Sequence, residues 1–208
     1  MKKLFTLLLV SFFSGLTIAQ EQLMQNPEAF RTRFSQQAEK TKRIQSEFTQ
    51  DKYSAYFKEP IRSSGIFYYD QSGKMRWEQK NPEKHVLLIT GEELRIWKKG
   101  KESRYNLASN RQLSFIKLVM MGTVNGDLLS SGKFDIRYFE QKDTYRLELT
   151  PKDRRMKNMF ERIELFFDRE NVRLTKMKMI ESVGEYTAIQ FINPIFNAQI
   201  SQTLFSEF

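Results

Sequence analysis

The chain reads as a mainly β (α+β) protein: one strongly curved antiparallel sheet, with a helix before it and a second helix inserted midway. Three observations predict this. Turn signals at Gly65, Gly73, Asn81-Pro82, Gly91 and Gly100 follow one another at steps of eight or nine residues. Later segments alternate apolar and polar residues cleanly. One segment, residues 111–121, is apolar nearly all round. Between turns of this kind there is room for about 10 to 12 short strands.

The first 19 residues read as a cleavable export signal. Lys2 and Lys3 form a positive start, Leu4 to Leu16 an apolar stretch, and Thr17-Ile18-Ala19 a small-residue cleavage site. Cleavage near Ala19 leaves residues 20–208 as one soluble domain with a sizeable core. The expected address is the periplasm.

A helix should follow, because Asn26 can cap it, Pro27 suits its first turn and Glu28 favours its dipole. Phe30, Phe34, Ala38 and Thr41 make its apolar stripe. Residues 43–57 read as a long first strand, with Ile44, Ser46, Phe48 and Gln50 on one face. The runs Ile66–Tyr69, Met75–Gln79, His85–Thr90 and Leu94–Lys98 continue an antiparallel meander. Residues 111–121 then form the second helix, with Gly122 as its cap and Leu113, Ile116 and Met120 on one face. Phe115, Leu118, Val119 and Met121 cover the rest, so the helix must be buried by protein or ligand.

Beyond it, Phe134-Ile136-Tyr138, Tyr145-Leu147-Leu149 and Ile163-Leu165-Phe167 alternate with charged residues. These are strands with one dry face and one wet face. The parity slips near Thr175, where a bulge would explain it.

The chemistry is thin. There are no cysteines and one histidine, His85, which a strand edge explains better than catalysis. No phosphate loop, nucleophile elbow or metal-ligand spacing occurs, so neither an enzyme nor a cofactor or metal is expected. The formal charge of +9 becomes +7 without Lys2 and Lys3. That basicity suits an ordinary solvated surface, an anionic membrane or an acidic partner. Export makes nucleic acid an unlikely partner. The run Lys152–Asn158 is strongly basic and is assigned nothing beyond a membrane or partner contact. What abounds is adaptable apolar volume, with 9 methionines and 18 phenylalanines, of which Met1, Phe5, Phe12 and Phe13 lie in the signal.

The order of several short motifs resembles the periplasmic outer-membrane lipoprotein carriers of the LolA type. These are Ile44-Gln45-Ser46-Glu47-Phe48-Thr49-Gln50, Glu59-Pro60 and Ser64-Gly65-Ile66-Phe67-Tyr68-Tyr69. Gly73-Lys74-Met75-Arg76-Trp77-Glu78 and Asn81-Pro82 follow, then Leu147–Lys152 and Ile163–Asp168. The resemblance implies an unclosed barrel of about 11 strands with a helical lid over an apolar cavity. It implies a monomeric carrier of lipoprotein acyl chains, loaded by an inner-membrane lipoprotein-releasing transporter and unloaded at an outer-membrane acceptor. The lining expected on this reading is Phe48, Ile66, Tyr68, Met75, Trp77, Leu88, Leu149 and Leu165. The expected lid residues are Leu113, Ile116, Leu118, Val119, Met120 and Met121. Parity agrees for Met75 and Trp77, which share a strand face opposite Lys74, Arg76 and Glu78.

One departure stands out. Family members carry a lid-latching arginine in the turn before the tryptophan strand, and here that turn is Asp70-Gln71-Ser72-Gly73. A carrier of another envelope lipid or glycolipid, and a sensor that binds lipidated proteins without moving them, therefore stay open. A hydrolase is the least favoured reading.

Overall fold

A computed structural model describes residues 21–208; the expected export signal lies outside the described residues. Twelve antiparallel strands form one sheet in the order β1-β8-β9-β10-β11-β12-β2-β3-β4-β5-β6-β7. They are β1 Gln22–Leu23, β2 Arg43–Tyr53, β3 Ile61–Asp70, β4 Lys74–Asn81, β5 His85–Thr90 and β6 Glu93–Lys98. Then come β7 Lys101–Asn106, β8 Phe134–Glu140, β9 Thr144–Pro151, β10 Arg162–Asp168, β11 Leu174–Ser182 and β12 Glu185–Phe196. The end strands β1 and β7 do not pair, so the curled sheet stays unclosed.

Helix α1, Pro27–Lys40, starts as its local signals dictate: the Asn26 side chain accepts a hydrogen bond from the Ala29 amide at 3.1 Å. Phe30 and Phe34 are its buried residues. They stack on each other and meet Phe167 edge-on at 5.4 and 5.3 Å between ring centres.

The register sorts every strand residue onto a concave or a convex face. Phe67 stands opposite Trp77, which stands opposite Leu87, which stands opposite Ile96. Tyr68, Arg76, Leu88 and Arg95 form the parallel row on the other face. The slip at Thr175 is a bulge: Phe166 pairs with Lys176 but Phe167 with Leu174, leaving Thr175 as the extra residue. Gly65, expected as a turn, lies inside β3 instead. A Cβ there would fall 1.9 Å from the Glu78 carbonyl oxygen, so the close approach of β4 requires glycine.

The convex face is not uniformly wet. The last residues cross it beside β3–β6, where Ile200 and Phe205 pack on Tyr68, with Ile66 against them. Arg76 is buried beneath this strap and donates to the Leu204 carbonyl at 3.0 Å, the Glu207 carbonyl at 2.5 Å and Glu78 at 2.8 Å. Arg95 donates to the Ser206 carbonyl at 2.8 Å. On the other half of the convex face, Arg146 grips Glu21 with two hydrogen bonds, 2.6 and 2.8 Å, and reaches Glu148 at 3.2 Å.

Candidate functional site

The concave face carries two apolar clusters. One holds Phe30, Phe34, Leu147, Leu149, Ile163, Leu165 and Phe167 from α1 and β9–β10. The other holds Ile44, Phe48, Phe67, Met75, Trp77, Ile89 and Leu94 from β2–β6. Phe48 and Trp77 stack at 3.8 Å in its middle. Helix α2, Arg111–Asn125, lies across both clusters, and the short α3, Asp127–Ser130, buries Leu128 in the first.

Helix α2 runs past Gly122 and ends at Gly126, whose φ of 90° is the left-handed cap. Gly122, expected as the cap, is buried within the helix. A Cβ on it would lie 2.9 Å from the Leu128 amide nitrogen, so glycine is needed for α3 to fold back against α2. Asn110 caps the start by accepting from the Leu113 amide at 3.1 Å.

The helix distributes its apolar residues between the two clusters. Phe115 and Val119 are buried in the first, and Leu118 packs against it. Met121 is buried in the second, with Leu113, Met120 and Val124 against it. Ile116 is half-buried and joins neither. This is the geometry of a cover that closes a concave apolar surface. A half-open crevice of about 40 Å³ lies beside Phe34, Ile44, Phe67, Val124, Phe191 and Phe196. That is room for a few waters. A larger groove, about 510 Å³, runs outside between the start of α2 and the β9–β10 connection. Arg111, Lys133 and Arg155 line it above an apolar floor of Phe115, Met156 and Met159.

Of the residues expected to line the interior, Phe48, Met75, Trp77, Leu149 and Leu165 do face it. Ile66, Tyr68 and Leu88 do not: they lie on the convex face, Ile66 and Tyr68 under the C-terminal strap and Leu88 opposite Arg76 and Arg95. The cause is burial on both sides of β3 and β5, which erases the alternation that reveals a face. Sequence reasoning missed Phe67, Ile89, Leu94 and Phe191, which share rows with Trp77, Met75 and Phe48. The signal was the register, since each stands on the same face as a residue already placed.

The Asp70–Gly73 turn, which lacks the arginine of the family pattern, does not tie α2 to the sheet. It closes on itself, with Asp70 Oδ1 accepting from the Ser72 amide at 2.9 Å and its hydroxyl at 2.6 Å. Its neighbour, the β5–β6 turn, holds α2. Lys117 of α2 donates to the Gly91 carbonyl at 2.9 Å and to Glu92 at 2.7 Å. Among the described residues this is the ion pair that joins α2 to the sheet.

His85 pairs across β4 and β6 with Gln79 and Lys98, and burial, helped by the Lys98 charge, lowers its pKa. It takes no part in either apolar cluster.

Comparison with known proteins places this arrangement. An "Outer-membrane lipoprotein carrier protein" of Coxiella burnetii is 26% identical over 176 residues, covering 84% of this chain and 80% of the relative. An uncharacterized conserved protein of Thermus thermophilus shares the fold with a TM-score of 0.56 at 10% identity, over 88% of this chain and 94% of that one. A LolA superfamily protein of Nitrosomonas europaea superposes with a TM-score of 0.45 at 12% identity, over 85% of this chain and 97% of that one. The profile of the family "Outer membrane lipoprotein carrier protein LolA" matches residues 39–207. The chain belongs to that family.

Proposed function

We propose that this protein is a periplasmic carrier that shields the acyl chains of lipoproteins and shuttles them from the inner to the outer membrane. The observation that carries the reading is a concave apolar face covered by a largely apolar helix with one ion pair to the sheet. The name of the Coxiella burnetii relative supports the cargo. No helix among the described residues is long and apolar enough to cross a membrane.

The energetics suit reversible loading. Uncovering Phe115, Val119, Met121 and Leu128 forfeits roughly 6–12 kcal/mol of burial, at about 1.5–3 kcal/mol each. An acyl chain of about 15 methylenes returns roughly 12 kcal/mol at about 0.8 kcal/mol per methylene. The two nearly cancel, so the cover exchanges for cargo without trapping it. On this reading the energy for loading comes from outside the protein. An inner-membrane lipoprotein-releasing transporter would provide it, and an outer-membrane acceptor would take the cargo.

Mass spectrometry of material bound to the protein purified from its host tests the cargo, and depletion tests the route. Lipoproteins should co-purify, and on depletion they should accumulate in the inner membrane. Purified protein free of lipoprotein, together with normal lipoprotein sorting on depletion, would sink the proposal. A second reading rests on the turn Asp70–Gly73, which lacks arginine and closes on its own Ser72: a carrier of another envelope lipid. Glycolipid rather than lipoprotein in the purified protein would favour it.

A further inference from the structure

Three connections leave the same end of the sheet side by side. The β2–β3 loop and the β11–β12 hairpin adjoin because Tyr53 pairs with Tyr186, their rings 4.3 Å apart. The β9–β10 connection adjoins the same hairpin, with the Glu161 amide donating to the Ile180 carbonyl at 2.7 Å. The tips carry apolar side chains in the open: Tyr56 is 87% exposed, Phe57 57%, Ile61 49% and Val183 94%. The β9–β10 connection carries Arg154, Arg155 and Lys157, all exposed and without an ion-pair partner among the described residues.

We infer that this end of the sheet docks on an anionic phospholipid surface. The nearby carboxylates are largely engaged. Asp153 caps the short helix α4, Arg154–Lys157, through the Arg155 and Met156 amides. Glu161 pairs with Arg162 at 2.8 Å, Glu181 with Lys52 at 4.0 Å, and Glu185 accepts from Ser182 at 3.2 Å. Glu59 is offset by Lys58 beside it. The three free cations thus meet an anionic surface without local competition.

The apolar tips argue for a lipid surface over a protein. Tyr56, Phe57 and Ile61 share the β2–β3 connection and Val183 tips the neighbouring hairpin, so the exposed apolar groups gather at the same end of the sheet as the cations. Aromatic and apolar tips beside cations suit the headgroup layer, where such side chains keep one end dry and one end wet. Docking there also has a use. Arg155 and Met156 wall the groove beside α2, so the groove would face the bilayer that holds the cargo. That use rests on the carrier reading; the docking itself is measured without cargo.

The test is flotation of the processed chain with protein-free vesicles of phosphatidylglycerol and phosphatidylethanolamine, against phosphatidylcholine vesicles. The protein should float with the anionic vesicles and lose them as salt rises. Replacing Arg154, Arg155 and Lys157 together by serine should weaken binding on the order of 100-fold at low salt. The set Tyr56→Ser, Phe57→Ser and Val183→Ser should abolish the salt-resistant part. Lys142→Ser, in the β8–β9 turn at the opposite end, should change nothing. All variants should melt like the parent. Equal binding to both vesicle types, or loop variants that float like the parent, would overturn the inference. Uptake of a fluorescent fatty acid from solution, read on the same proteins, should be untouched by the Tyr56, Phe57 and Val183 set; its failure in the parent would count against the carrier reading and leave docking standing.

Discussion

Replacing Lys117 by methionine keeps the apolar stem of the side chain and removes only the ammonium. Two interactions go with it: the 2.9 Å hydrogen bond to the Gly91 carbonyl and the 2.7 Å pair with Glu92. Lys117 is 27% exposed and Glu92 60%, so the pair is screened and contributes about 0.5 kcal/mol. The charged hydrogen bond to the carbonyl adds about 1 kcal/mol. Loss of roughly 1–2 kcal/mol from the closed state alone raises the open population by about 5–30-fold. Native-state hydrogen exchange reads this directly. Amides of α2 should exchange about 5–30-fold faster, while those of β9 and β10 keep their rates. Glu92→Gln, which spares the carbonyl contact, should show the smaller part of the effect. Unchanged exchange in α2, or equal acceleration throughout the sheet, would refute the assignment of Lys117 as the tie that holds the lid.

Leu118→Glu should cut the affinity for a fluorescent fatty acid by roughly tenfold or more, whereas Thr49→Glu, exposed on the strand that bears Phe48, should leave it unchanged; titration of the probe checks both. Trp77→Ala removes the 3.8 Å stack on Phe48 and should lower stability by about 3–5 kcal/mol in urea unfolding. Arg76→Ala should cost about 3–5 kcal/mol and open residues 197–208 to proteases, because Glu78 and two carbonyls lose their buried donor; limited proteolysis with mass spectrometry reports it. Arg146 hydrogen bonds hold Glu21 below its ordinary value of 4.5 despite some burial, and Glu148, which burial pushes up, is held below it by Arg137 and Arg146. A depressed carboxyl stabilises the fold above its unfolded pKa and loses that contribution as pH falls through the folded value. Thermal melts of Glu21→Gln should therefore fall below the parent at neutral pH and converge with it once acid has protonated the carboxyl in the folded state.

What was legible in the sequence was whatever is decided locally. Asn26 and Pro27 set the start of α1 without outside help, and the parity slip at Thr175 exposed its bulge. Phe48, Met75 and Trp77 were placed inward by the family resemblance, and for Met75 and Trp77 the polar alternate face of their strand agreed. Ile66, Tyr68 and Leu88 were misplaced because a strap more than a hundred residues away buries the second face. Gly122 looked like a stop signal and is instead a contact surface for Leu128, a fact set by tertiary packing. Strand β7 gave no apolar signal because every one of its residues is exposed. The lid tie was hidden for the same reason as the strap: Lys117 and Gly91 lie 26 residues apart.

The missing bond between β1 and β7 has a mechanical side. A closed barrel has a girth fixed by strand number and stagger, and widening it means breaking a ladder of hydrogen bonds. Here no ladder spans the gap. Uncurling or tightening such a sheet a little breaks none of its existing strand pairs. Free edges invite unwanted pairing with other chains. Lys101, Glu102 and Arg104 on exposed β7 discourage such pairing.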